Sequence, residues 1–234
     1  MTVIFLIVSI ILFLTIDWIY RHTGERKSMP SALPISMNGS RRSFSIRIPE
    51  GVFFTKSHTW LNLFPSGKVQ FGIDDFIGML MKQPQISLLK NIGDKVKKGE
   101  PILEINNGNN RLSIQSPIEG DILAVNEKLK YHPKLLKDSP FHDGWTYTIE
   151  PHRITDLKHH MLGSEIKQWM NNEIGRFRDF LAGLQKRAEF ATLTLQDGGF
   201  PNPDALESMS QLAWQQFEQE FLQVKSYEKD IDLL

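Results

Sequence analysis

The sequence predicts a mainly β fold with helical additions. Three observations carry this. Between residues 43 and 149, short apolar or alternating runs are separated by turns rich in Gly, Pro and Asn, the pattern of a small β-sandwich or barrel. Ahead of them, residues 3–20 are almost wholly apolar. Behind them, apolar residues recur at the helical period through two stretches. The expected order is an N-terminal transmembrane helix (1–22), a linker (23–45), the barrel (46–153) and a C-terminal helical extension (154–234).

A stretch of about 18–20 apolar residues rising about 1.5 Å each is just long enough to cross a hydrocarbon core of about 30 Å. Trp18 and Tyr20 close it, and Arg21, His22, Arg26 and Lys27 follow. Aromatic residues favour the interface and basic residues stay inside. The expectation is a single-pass protein of the bacterial inner membrane with its soluble part in the cytoplasm. A cleaved signal peptide would carry a basic start and a small-residue cleavage site, and neither is present. Residues 23–45 carry Gly24, Pro30, Pro34 and Gly39 and read as a linker.

The β pattern then begins. Residues 43–49 alternate, and Val52-Phe-Phe54 follows. Residues 59–64 and 68–73 form a hairpin across Pro65-Ser-Gly67. Asp74-Asp75 caps a short helix over residues 76–81. Strands are expected at 86–89, 121–125 and 144–149, with turns at Gly93-Asp94 and Lys98-Gly99. At the centre, residues 101–105 and 112–114 flank Asn106-Asn-Gly-Asn-Asn110. Asn-Gly between two such runs predicts a hairpin with a type I′ turn, because both residues tolerate φ > 0.

Residues 156–185 read as a helix with Ser164 as a candidate cap. Its stripe is Ile166, Trp169, Met170, Ile174, Phe177, Phe180, Leu181 and Leu184, with Glu165, Glu173, Arg176 and Asp179 on the other face. Asp204 with Glu207 resembles a capping arrangement ahead of a last helix, whose stripe is Leu206, Met209, Leu212, Ala213, Phe217, Phe221 and Val224, with Trp214 beside it. Such stripes pack either on the chain's own barrel or in a partner's groove.

Lys plus Arg and Asp plus Glu number 27 each, so the net charge is zero. With no basic run, no nucleic-acid partner is expected. There are no cysteines, which excludes disulfides, thiolate ligands and Cys nucleophiles. His159-His160 are neighbours that would point about 100° apart on a helix, poor geometry for one ion, and read as surface residues. His58 reads as structural. No nucleophile motif, phosphate loop or dinucleotide fingerprint occurs. The chain is therefore read as a non-enzyme with no catalytic residue, metal, cofactor or small-molecule substrate.

Several separated motifs agree with one known family in order and spacing. They are Phe54-Thr-Lys-Ser-His-Thr-Trp60, Gly72-Ile-Asp-Asp-Phe76, Ile92-Gly-Asp-Lys-Val-Lys-Lys-Gly-Glu-Pro101, Ser116-Pro-Ile-Glu-Gly120, Val125-Asn-Glu127, Pro133-Lys-Leu-Leu-Lys-Asp-Ser-Pro140 and Gly144-Trp145. Over roughly residues 50–185 the chain resembles the glycine cleavage system H protein, a carrier of the biotinyl/lipoyl superfamily. The resemblance implies a flattened lipoyl-type barrel of two small sheets with short helices. It also implies a Glu-Ser-x-Lys tip whose lysine carries lipoate. Counted from both flanks without a gap, that tip falls on Asn106-Asn-Gly-Asn109, and the lysine position is Asn109. A side-chain amide is not nucleophilic and cannot replace the ε-amine in that acylation. Lys95, Lys97, Lys98, Lys128 and Lys130 lie in flanking segments.

These readings converge on a degenerate carrier. The chain is expected to be a non-catalytic, membrane-anchored accessory subunit whose partners are other subunits of a larger membrane complex, of redox type in one version. The expected partner-binding residues are Asn107, Gly108, Asn109, Asn110, Trp169, Phe177 and Trp214. Two alternatives remain. One is a membrane-tethered lipoyl carrier using another attachment point. The other is an efflux membrane fusion adaptor, in which a long helical hairpin splits the lipoyl domain; here five residues occupy that point.

Overall fold

Most period-two runs of the sequence become strands within a residue or two of their predicted ends. The computed structural model describes residues 46–186 and 205–223, the backbone of Leu33–Ile35, and positions 12 and 15. Apart from positions 12 and 15, these residues belong to one unit, Ser31–Leu234. All of the expected transmembrane helix except positions 12 and 15, together with Asp204 and Val224, lies outside the described residues. Among the described residues no helix is long and apolar enough to cross a membrane.

Three antiparallel sheets are present among these residues. β1 (Leu33–Ile35) pairs with β2 (Ile46–Ile48), so a strand forms inside the stretch read as linker. The largest sheet has the order β3-β4-β5-β11-β10-β7, built from β3 (Phe53–Phe54), β4 (Thr59–Leu63), β5 (Val69–Ile73), β7 (Lys95–Val96), β10 (Gly120–Val125) and β11 (Trp145–Pro151). A three-stranded sheet, β6-β8-β9, holds β6 (Gln85–Leu88), β8 (Pro101–Asn107) and β9 (Asn110–Gln115). Tyr147 joins the two larger sheets. Its hydroxyl donates to the Ile102 carbonyl at 2.7 Å and accepts from the Lys90 N–H at 3.2 Å. Burial pushes its pKa up to about 12, so it remains a donor at neutral pH.

Alternation explains the core. Leu103, Ile105, Leu112 and Ile114 are buried, whereas Glu104, Asn106, Arg111 and Ser113 face outward. Trp60 is fully buried, and its indole N–H donates to the Ile73 carbonyl at 3.0 Å. It lies over Gly72, where an added Cβ would come within 2.8 Å of the indole Cζ2.

The first helix, α1 (Asp75–Met79), starts as predicted: Asp74 is the N-cap and accepts from the Ile77 N–H at 3.2 Å. Arg47 of β2 docks on it. The Arg47 N–H donates to Asp75 Oδ2 at 2.8 Å, and its guanidinium pairs with Oδ1 at 2.5 Å. The same guanidinium donates to the carbonyls of Lys137 and Asp138. Those carbonyls belong to α3 (Leu135–Asp138), which follows α2 (Lys128–Tyr131).

Two helical expectations need correction. The long helix α4 is Ser164–Lys186, not 156–185. Residues Ile154–His159 form a separate 3-10 turn, and Gly163, at φ +71°, turns the chain before α4 begins. The Glu165 carboxylate accepts the Leu162 N–H at 2.7 Å, which closes the first turn from inside the helix. The last helix, α5 (Gln211–Phe217), is capped by Ser210, which accepts from the Ala213 N–H at 3.2 Å. A 3-10 turn (Ala205–Ser208) precedes it, and a π-helical turn (Glu218–Leu222) follows. Leu212, assigned to the buried stripe, is 52% exposed.

Candidate functional site

The tip of the β8–β9 hairpin stands where the sequence places it, with a different turn. Asn107 pairs with Asn110. The two-residue loop is therefore Gly108-Asn109, not Asn107-Gly108. Gly108 has φ +59°, and among the described residues His58 is the only non-glycine with positive φ. Glycine at the first loop position with an ordinary second residue is the II′ pattern, not I′. Gly108 and Asn109 are exposed, while Asn107 and Asn110 are half-buried. Asn106 is held to the neighbouring strand, its amide donating to Ser87 Oγ at 3.2 Å. The tip thus offers a rigid turn and an exposed amide at the position where a carrier lysine is expected.

The C-terminal segment packs beside this hairpin. Leu206 N–H donates to the Leu80 carbonyl at 3.2 Å, and Lys82 N–H to Glu207 Oε1 at 3.0 Å. Ser113 N–H on β9 donates to Glu218 Oε2 at 3.4 Å. Burial raises the Glu218 pKa, against the pull of that N–H and of Arg111. Between the outer face of the hairpin and the helix lies a groove of about 900 Å³, lined by Asn106, Asn109, Arg111, Gln215, Glu218 and Gln219 among others.

Two of the expected partner contacts, Trp169 and Phe177, are not among the residues that line this groove. Phe177 is 0% exposed and faces the core, which corrects the expectation that it meets a partner; Trp214 is 1% exposed but lines the groove beside Asn109 and Asn110. Phe177 lies edge-on to Phe76, Phe217 and Phe221 at 5.6–5.9 Å. The Trp214 indole donates to the Leu206 carbonyl at 2.8 Å. Trp169 is half-buried against His58, 5.0 Å between rings. Apart from Leu212, the described stripe residues are buried or half-buried, and what covers them is the chain's own core. The tip residues and this aromatic cluster are separate features.

Sequence reasoning missed a buried charged network in that cluster. His58 sits in a left-handed conformation, φ +58°, at the end of the turn between β3 and β4. Its ring is fully buried and stacked on Phe76 at 4.6 Å. Nδ1 lies 2.7 Å from Asp74 Oδ2, and Nε2 lies 3.7 Å from Glu173 Oε2. Burial disfavours the imidazolium, but the two carboxylates outweigh it and push the His58 pKa up to about 9. Burial likewise raises Asp74 against the pull of His58. Glu173 is held below the usual carboxylate range: burial opposes its charge, and His58 and Arg176 outweigh burial. Arg176 grips both Glu173 oxygens at 2.7 Å and lies 4.9 Å from the Phe221 ring centre. In sequence, Glu173 and Arg176 looked like a solvated helix face. Only the fold shows that Glu173 is buried.

His160, read as a surface residue, is half-buried instead, and burial drives its pKa down to about 4. A ring held neutral in this way has left water because the 3-10 turn folds back onto the barrel, where Met161 bridges to Phe54.

Comparisons with known proteins place these features. The Glycine cleavage H-protein family model matches residues 52–173, ending on the glutamate that faces His58. The chain is similar to the glycine cleavage system H protein of Coprothermobacter proteolyticus, 30% identical over 125 residues, 53% of this chain and 98% of that protein. It is also similar to the probable glycine cleavage system H protein of Pyrococcus abyssi, 27% identical over 138 residues, 59% and 95% of the two chains. A crystal structure of a glycine cleavage system H protein from Mycobacterium marinum aligns with 22% identity and a TM-score of 0.46, over 53% of this chain and 99% of that one. With more than half of its residues matched by the family model, the chain belongs to the glycine cleavage H-protein family.

Proposed function

We propose that this chain is a non-catalytic, membrane-anchored member of its family that uses the carrier barrel as a protein-binding platform within a larger membrane complex. The observation that carries the reading is at the tip. The hairpin is retained as a two-residue turn with an exposed loop, and the residue at the carrier position is Asn109. An amide there offers hydrogen bonds and no attachment point. The apolar run at residues 3–20 supports the anchor, and the basic residues after it support a cytoplasmic barrel.

The test is purification of the full chain in mild detergent. Stoichiometric co-purification of partner subunits, lost when Asn107, Asn109 and Asn110 are replaced together by alanine, is the expected result. Recovery as a lone monomer overturns it.

Family membership favours one second reading, a membrane-tethered lipoyl carrier acylated on a lysine away from the tip. Intact mass of the chain from its native host decides between the two: a lipoyl adduct removed by changing one lysine establishes the carrier.

A further inference from the structure

We propose that the groove between the outer face of the β8–β9 hairpin and α5 binds an extended peptide segment of a partner protein, holding its backbone with side-chain amides and one basic side chain with Glu218. This rests on the tip being a contact surface, and names the kind of partner that the surface takes.

Both walls carry side-chain amides. Asn106, Asn109 and Asn110 line one side, and Gln211, Gln215 and Gln219 the other. The glutamines recur every four residues, so they share one helix face. A primary amide carries a donor and an acceptor on one planar group, as a peptide bond does, so the glutamine row, with Asn109 at the loop, can bond an extended backbone. The lining is mainly polar, with Trp214 and Pro101 as its apolar exceptions, which favours a polar backbone over an acyl chain. The glutamine row spans about 12 Å at about 1.5 Å per residue, room for about four residues of extended chain at about 3.3 Å each.

Charge makes the choice narrower. Glu104, Arg111 and Glu218 line the groove. Arg111 pairs with Glu104 at 3.2 Å and acts on Glu218 only at longer range, so the one hydrogen bond that Glu218 accepts on its carboxylate among the described residues is the long one from the Ser113 N–H. A half-buried carboxylate held by so weak a donor is stabilised by an incoming ammonium or guanidinium.

The experiment is fluorescence polarisation on the full chain in detergent. The probe is a labelled octapeptide alternating threonine with lysine, and the control replaces each lysine by glutamate. Saturable binding of the lysine peptide alone is expected, weakened about tenfold or more by Glu218→Gln. Gln215 is exposed, so Gln215→Lys leaves the fold intact, and its added cation is expected to weaken the lysine peptide similarly. Equal binding of both peptides, no saturable binding, or no effect of either substitution overturns the proposal. Partner co-purification without peptide binding defeats this inference alone. Peptide binding by a chain that purifies as a monomer defeats the subunit reading alone.

Discussion

His58 Nδ1 and Asp74 Oδ2 are 2.7 Å apart, and both side chains are completely withdrawn from water. Asp74 also caps α1, so one carboxylate neutralises a buried ring and starts a helix. Removing one partner of a buried pair leaves the other charge stranded. Asp74→Ala is expected to destabilise the fold by about 3–5 kcal/mol, read from urea unfolding followed by tryptophan fluorescence. A loss under about 1 kcal/mol would mean the pair behaves as an exposed one.

Stability should fall on both sides of an optimum near pH 6.5. On the alkaline side the cause is His58. The folded protein holds its proton up to about pH 9, the unfolded chain only to its ordinary value of 6.5. The stabilisation is complete below 6.5 and is lost as pH rises to about 9. On the acid side the cause is His160, which the fold keeps neutral down to about pH 4. Protons there bind the unfolded chain preferentially, and stability falls as pH drops from 6.5 to about 4. Unfolding midpoints at pH 4.5, 6.5 and 9 test this. His160→Gln is expected to flatten the acid limb only.

Gly72→Ala places a methyl 2.8 Å from the Trp60 ring. The indole is tied to the Ile73 carbonyl and cannot retreat freely. Overpacking of this kind costs about 1–3 kcal/mol, and a thermal melt of the variant would show it. An unchanged midpoint would mean that β4 and β5 yield at this point.

Asn109→Lys restores the one atom type the tip lacks. The loop is exposed and Asn109 has no positive φ, so lysine fits without strain. With a lipoate-attaching enzyme, the variant is expected to gain a lipoyl adduct by intact mass and the parent chain none at this position. An adduct on neither chain would indicate that the attaching enzyme does not recognise this tip even with a lysine in place.

Much of this architecture is legible in the residues. The strand runs, the Asp74 cap and the hairpin at residues 101–115 all follow from period, turn chemistry and capping. The II′ turn was hidden because Asn-Gly and Gly-Asn lie side by side in Asn106-Asn-Gly-Asn-Asn110, and a one-residue change of register selects between them. The start of α4 was hidden because the apolar period runs on through Leu157, while Gly163, the actual break, reads as one more small residue. The His58, Asp74 and Glu173 network had no local signature: its members come from a turn, a cap and a distant helix. Phe177 and Trp214 show the general limit. Spacing tells which residues share a face and says nothing about what that face meets.

The packing of α5 and its π turn has a consequence for how the molecule comes apart. Phe221 lies 6.3 Å from Phe76 of α1, and Leu206 bonds the carbonyl of Leu80 just beyond it. A cut after residue 153 would strip the aromatic cover from His58 and Phe76 and leave a buried ion pair open to water. The barrel and the helices after residue 153 should therefore melt as one cooperative transition, and excised fragments should be less than the sum of their sequence.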